Sequence, residues 1–252
     1  MQANWSKLVS KNFNEAAQSY NDSASIQKDI ALKLAQICSK HPIEPGVWVD
    51  LGSGTGLLAN SLEELHAKQE VIRVDKCQQM INQQPEKCIK QLWDLNVGLP
   101  KWHRQPNLLA SSFVLHWLND PQKRLKEWIN SLCPSGWIAL AIPVKGSFPE
   151  WYEAASKAKV SCTAIDLPSH DSLLKVVANK HIYFNKIEVI KQKADKVTSL
   201  LKPMINVGAH SSNKKPLSIK GWKHLVSNWP KSEEEEEQIT LTWFIQILLI
   251  RR

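Results

Sequence analysis

Between residues 47 and 143 the chain alternates two kinds of stretch. Short runs that read as strands cover Val47 to Leu51, apolar and β-branched except for Asp50, then Glu70 to Val74, Ile89 to Leu92, Asn107 to Phe113 and Trp137 to Pro143. Such near-continuous runs read as strands buried on both faces. Between them, Gln78 to Gln84 reads as a short helix ended by Pro85, and Leu57 to Leu65 and Gln122 to Leu132 place apolar residues three and four apart and predict helices. Asn119-Asp120-Pro121 caps the start of the last, and Cys133-Pro134-Ser135-Gly136 stops it. Strands alternating with helices predict an α/β fold with a parallel, doubly covered sheet.

The flanks are less regular. Residues 1–11 are polar and are expected to be loosely held, while Phe13, Ala16, Ala17 and Tyr20 fall on one helical face. A helix over Ile26 to Cys38 repeats Ile30, Leu34 and Ile37 before His41-Pro42 ends it. Residues 1–40 therefore read as a helical cover on a single domain spanning 1–252. After Pro143, helices near Gly146 to Val160 and Ser169 to Asn179 delay the sixth strand, Tyr183 to Gln192. An insertion there overhangs the carboxyl ends of the strands, so residues 146–180 are expected to form a lid. Asp195 to Lys202 and Ser218 to Asn228 are expected helices, Lys231 to Glu237 an acidic hairpin loop, and Ile239 to Ile250 a closing strand.

The candidate chemistry begins at Val47 to Gly56. A strand runs into Gly52, Gly54 and Gly56, and a helix follows at once. The glycines let the backbone turn and a ligand approach, and the helix N-terminus offers free N–H groups. Asp75, at the end of the second strand, stands where dinucleotide folds place the acid that holds ribose hydroxyls. That spacing alone fits NAD. Asp50 argues against a diphosphate, because a carboxylate beside the loop repels one and suits a cationic ligand. Ser111 and Ser112 end the fourth strand beside the expected crevice. His116 is open to two readings, general base or packing residue.

The pattern from Asp50 to Gly56, D-x-G-x-G-x-G, resembles the first motif of the class I S-adenosylmethionine (SAM) methyltransferases. In that family the loop wraps a cationic amino-acid moiety.

Composition narrows this modestly. The chain has 252 residues and is 43% hydrophobic, ordinary for one globular domain. A formal charge of +8 suits an acidic partner, with nucleic acid, an anionic membrane and an acidic carrier protein all open at this point. The five cysteines lie far apart without a C-x-x-C pair, so no zinc site is expected, and reduced thiols point to a cytoplasmic setting. Residues 245–250, an apolar run broken only by Gln246, are too few to cross a bilayer.

More specific segments narrow the resemblance. Phe13-x-x-Ala-Ala-x-x-Tyr20 with Ala24 and Gln27, Ser111-Ser-Phe-Val-Leu-His-Trp117, Val144-Lys-Gly-Ser-Phe-Pro-Glu150 and Leu201-Lys202 with Gly208-Ala209 resemble the malonyl-(acyl-carrier-protein) O-methyltransferases of biotin synthesis. The likeness spans nearly the whole chain. The chain departs from that pattern at His116, where the family has Gln, and at Ser53, where it has Cys. Residues 131–136 replace an Arg ahead of a Pro-Gly-Gly turn, and Leu201-Lys202 stands further from Gly208-Ala209 than in the family.

The resemblance implies a Rossmann-like seven-stranded class I methyltransferase sheet with an antiparallel last strand and a small helical lid after strand five. It implies SAM as methyl donor, without a metal, held by Gln27, Asp50, Gly52, Ser53, Gly54, Asp75, Lys76, Met80, Asp94, Leu95 and Ser111. The acceptor would be the malonyl carboxylate on acyl carrier protein, with Tyr20, Ser112, Trp117 and Lys202 around it. Lys145, Lys157, Lys159, Lys214 and Lys215 would border the lid and steer the carrier; a membrane or nucleic-acid partner is not expected. An RNA methyltransferase, another small-molecule methyltransferase and a non-catalytic SAM-fold subunit stand as rival readings.

Overall fold

A computed structural model describes the chain apart from residues 1, 178–179, 213 and 232–237. Three helices come first: α1 (Gln2–Ala16), α2 (Tyr20–Ser23) and α3 (Ser25–Ser39). Next follow β1 (Trp48–Leu51), α4 (Leu57–Leu65), β2 (Val71–Asp75), α5 (Gln78–Asn82), β3 (Lys90–Leu92), β4 (Leu108–Ser112), α6 (Pro121–Ser131) and β5 (Trp137–Pro143). The rest contains α7 (Pro149–Lys157), α8 (His170–Val177), β6 (His181–Ala194), α9 (Val197–Asn206), α10 (Ile219–Ser227) and β7 (Ile239–Arg251).

The strands form one seven-stranded sheet in the order β3-β2-β1-β4-β5-β7-β6. β1 to β5 pair in parallel, and β7 runs antiparallel between β5 and β6. This is the Rossmann-like arrangement with an antiparallel last strand. Strand order reverses at β1 and β4, so their carboxyl ends open a crevice.

Alternation along β5 explains the two cores. Trp137, Ala139 and Ala141 face one layer with Leu34, Leu62 and Ile247, while Ile138, Leu140 and Ile142 face the other with Leu125, Trp128 and Leu173. Successive strand residues point to opposite faces, so an unbroken apolar run fills both.

Several boundaries differ from expectation. Residues 2–11 are helical rather than loose, because contacts outside the helix hold it. Lys76 Nζ donates to the Ser6 carbonyl (3.2 Å) and Oγ (2.8 Å), and the Gln79 N–H donates to Asn14 Oδ1 (2.9 Å). The helix expected through Tyr20 breaks after Ala16, and Tyr20 opens α2 instead. β6 starts and ends two residues beyond its expected limits; as an edge strand facing water it lacks the apolar run that marks buried strands. The end of the expected helix at Asn179 and the acidic run over 232–237 lie outside the described residues.

The segment after β5 divides between the two layers. α7 buries Ala154 and Ala155 in the core with β7, whereas α8 buries Leu173 and Val177 against α6 on the other face. Two residues of the Gly-Ser-Phe-Pro-Glu motif fasten its start. Phe244 N–H donates to Ser147 Oγ (2.9 Å), and Thr242 N–H donates to a Glu150 carboxylate oxygen (3.0 Å). Among the described residues no helix is long and apolar enough to cross a membrane.

Candidate active site

The glycine loop turns at the carboxyl end of β1 under tight constraints. Gly52 has φ +74°, and a Cβ there would lie 2.9 Å from Val114 Cβ and nearer still to both its methyl groups. At Gly54, φ is +52° and a Cβ would meet nothing within 4 Å, so the loop leaves open space on that side. The same region lines a cleft of about 650 Å³ at the strand ends.

Asp75 braces this loop. Its Oδ2 accepts from the Gly54 N–H at 2.8 Å and its Oδ1 from the Cys77 N–H at 2.7 Å. Burial raises the Asp75 pKa above the ordinary carboxylate value, and these two N–H donors oppose the rise. Gln84, which the sequence did not single out, supports the loop from below: its Nε2 donates to Ser53 Oγ (3.0 Å) and to the Gly54 carbonyl (2.6 Å). Beneath lies Arg73, fully buried and paired with Glu63 at 2.6 Å.

Asp50 is buried beside the loop, with Oδ2 accepting from the Ala59 N–H at 3.1 Å. Burial pushes its pKa up to about 7, against the pull of Arg73 and that N–H. The deprotonated form is the one that attracts a cationic ligand. Affinity for a ligand with an ammonium group is therefore expected to rise as the pH climbs toward about 7 and to level off above it, with proton release on binding below that point. Calorimetry in two buffers of different ionisation enthalpy checks this.

Three compartments meet here. The cleft is lined by Gly52, Gly54, Asp75, Lys76, Met80, Asp94, Leu95 and Ser112, with Tyr20 and Trp117. A notch behind the loop is lined by Gln27, Asp50, Ser53, Gly54 and Ser112, again with Tyr20. An inner pocket is lined by Tyr20, Gln27, Phe113, His116, Trp117, Phe148 and Trp243, among others. Tyr20 thus faces all three, and burial raises its hydroxyl pKa, keeping it protonated and able to donate.

The inner pocket is aromatic. Trp243 stands edge-on to Phe148 (centroids 4.6 Å apart) and to Phe113 (6.1 Å). Both phenylalanines hold positive φ, 58° at Phe113 and 65° at Phe148, backbone strain of a kind that collects at functional sites. Burial pushes the His116 pKa down to about 3, so its ring is neutral, and Nδ1 is buried without a hydrogen-bond partner. Among the described residues no lysine, arginine, aspartate or glutamate lines this pocket.

Two sequence candidates fall outside. Ser111 is buried and its Oγ donates to the Leu51 carbonyl (2.8 Å), so it ties β4 to β1 and lines none of the compartments. Its neighbour Ser112 faces the cleft, as strand alternation requires, with a buried and unpartnered Oγ. Lys202 is exposed on α9 and lines no compartment, because its helix turns Leu200 and Leu201 inward instead. The expected cation beside the acceptor is thus not supplied by Lys202. Lys76 borders the cleft but its ammonium is engaged by Ser6. Of the lysines expected around the lid, Lys157 pairs with Glu153 (2.6 Å) and Lys214 with Asp166 (2.9 Å).

The residues fit SAM. Open space stands above Gly54, a carboxylate borders the notch, a second carboxylate sits at the end of β2, and an unpartnered Ser112 hydroxyl lies between cleft and notch. Among the described residues no group of three or more His, Cys, Asp or Glu is placed to hold a metal ion.

Comparison with known proteins bears on the same region. A family model described as a methyltransferase domain matches residues 49–140. The chain is similar to a malonyl-(acyl-carrier protein) O-methyltransferase of Marinomonas sp., 24% identical over 263 residues, covering 98% of this chain and 94% of that one. It is 27% identical over 157 residues to a protein of the same name from Priestia megaterium, covering 61% of this chain and 57% of that one. Among solved structures, the YcgJ protein of Bacillus subtilis superposes with a TM-score of 0.61 at 13% identity, covering 89% of this chain and 98% of that one. Coclaurine N-methyltransferase bound to N-methylheliamine and SAH gives 0.53 at 13% identity, covering 89% and 72%.

Proposed function

We propose that the chain, whose residues 49–140 match a methyltransferase domain, methylates the free carboxylate of a malonyl thioester carried by acyl carrier protein, with SAM as donor, an early step of biotin synthesis. The observation that carries this reading is the inner pocket. It joins the cleft through Tyr20, Phe113 and Trp117 and offers only neutral hydrogen-bonding groups among apolar walls.

When bound, SAM supplies an electrophilic methyl on a sulfonium. Asp50, Ser53 and Gln27 border the notch for its amino-acid end, Asp75 stands for the ribose, and Met80, Asp94 and Leu95 for the adenine. The acceptor carboxylate is ionised near neutral pH and needs no base. A neutral His116 matches that requirement. Tyr20, Gln27 and His116 orient the carboxylate, while the missing cation leaves the attacking oxygen without a tight ion pair that would stabilise it in the ground state. Aromatic walls exclude water where opposite charges cancel. The net charge of +8 favours encounter with an acidic carrier. The names of the relatives, one matched along 98% of this chain, support the choice of acceptor.

A second reading keeps the chemistry and changes the acceptor to a small free acid. It is favoured by 31% identity over 113 residues to a trans-aconitate 2-methyltransferase of Mycobacterium tuberculosis. Incubation with SAM and malonyl-carrier, followed by intact mass, separates the two. A gain of one methyl on malonyl-carrier and none on acetyl-carrier is the expected result. Transfer only to free acids overturns the carrier reading.

A further inference from the structure

We propose that the groove outside the inner pocket is the binding site for an extended pantetheine-type arm, along which the acyl thioester reaches the methyl donor. The choice of occupant rests on the function proposed above. The groove is an open hollow of about 1360 Å³ with the solvent at its mouth included, against about 420 Å³ on the same measure for the inner pocket. Four residues, Phe148, Ile165, Met204 and Ala209, line both, so one continues into the other. The inner pocket thus borders the cleft on one side and the groove on the other, and a malonyl group in it would have its thioester end toward the groove.

The chemistry of the walls selects the occupant. Leu8, Leu201 and Leu217 make most of the groove apolar, which suits methylene and gem-dimethyl segments. Trp151 also lines it, and its Nε1–H is buried with no partner among the described residues. A buried donor without an acceptor is costly, and a small turn of the indole toward the groove would let an amide carbonyl of a passing chain satisfy it. The rim turns polar at His210, Ser211, Ser212 and Lys214, with Lys214 held 2.9 Å from Asp166 and 5.9 Å from the centre of the Tyr152 ring. Apolar walls, one buried amide-reading donor and a polar, lysine-bearing mouth match an arm of alternating methylene and amide units that ends outside in a phosphate. A plain fatty chain would leave the Trp151 donor unpaired, and a free dicarboxylate would leave the groove empty.

The probe is 4′-phosphopantetheine, titrated into the full chain loaded with SAH. Two variants test the groove. Thr163→Trp plugs it from its wall, and Trp151→Phe removes the donor while keeping the ring. Both residues lie outside the cleft and notch, so unchanged SAH affinity reports an intact fold. Binding of the probe is expected to fall at least about tenfold in Thr163→Trp and about threefold to tenfold in Trp151→Phe. Malonyl-carrier and malonyl-coenzyme A, which share the arm, are expected to lose kcat/KM in parallel, mainly through KM; loss with the carrier alone places the defect at a protein–protein contact and overturns the proposal. So does a probe that fails to bind, or binds both variants like the parent chain. Groove-dependent binding of the probe without methylation of any malonyl thioester leaves the arm site standing and sinks the malonyl reading alone.

Discussion

Gly52→Ala is expected to destabilise the chain by about 2–5 kcal/mol and to abolish donor binding at the temperatures where the parent binds. Two costs add. A left-handed backbone costs a residue with a side chain about 1–2 kcal/mol, and φ at Gly52 is +74°. The new methyl group would also lie 2.9 Å from Val114 Cβ, and overpacking of that kind costs roughly 1–3 kcal/mol. For a domain of this size the sum corresponds to a melting temperature lower by roughly 5–15 °C. The two costs can be separated in part. Val114→Ala in the same chain removes the two nearest contacts and leaves the φ penalty together with the 2.9 Å contact to the Val114 Cβ, so the double variant is expected to regain part of the loss. Thermal melting of the single and double variants, with a SAM titration of each, decides it. No recovery in the double variant means that the φ penalty and the remaining Cβ contact carry the effect.

Asp75→Ala is expected to weaken SAM binding about tenfold to a hundredfold, or roughly 1.4–2.7 kcal/mol. The carboxylate accepts from the N–H groups of Gly54 and Cys77 at 2.8 and 2.7 Å. Its loss removes the acid proposed to hold the ribose, a cost of about 1–3 kcal/mol in a buried site, and it also unpairs the two N–H donors, which lowers the stability of the loop rather than its affinity. Asp75→Asn keeps the size and one acceptor oxygen, so it should fall between the parent and alanine. Equal calorimetric affinities in parent and alanine variant would remove Asp75 from the donor site.

The sheet was legible in the sequence because its central strands are buried on both faces, which leaves unbroken apolar runs. The glycine loop was legible because a turn this tight, next to an acid and ahead of a helix, tolerates few other residues. α1 was not: its sequence is polar, and Lys76, Gln79 and Trp117 hold it from distant parts of the chain. Tyr20 and Gln27, singled out through their motif, both line the compartments. The walls of the inner pocket were harder to read, because Phe113, Phe148 and Trp243 come from three separate segments and each reads alone as ordinary core. Ser111 and Lys202 are placed apart from the compartments. Both sit in the right motif, but strand alternation turns one toward Leu51 and helical phase turns the other to water.

Tyr20 stands in the wall of cleft, notch and inner pocket alike. A ligand on one side of that ring and a ligand on the other therefore share a surface, and any shift one imposes is felt by its neighbour. Thermodynamic reciprocity then fixes the accounting: whatever factor the first ligand applies to the affinity of the second, the second applies to the first. Equilibrium titrations done in either order must close the same cycle.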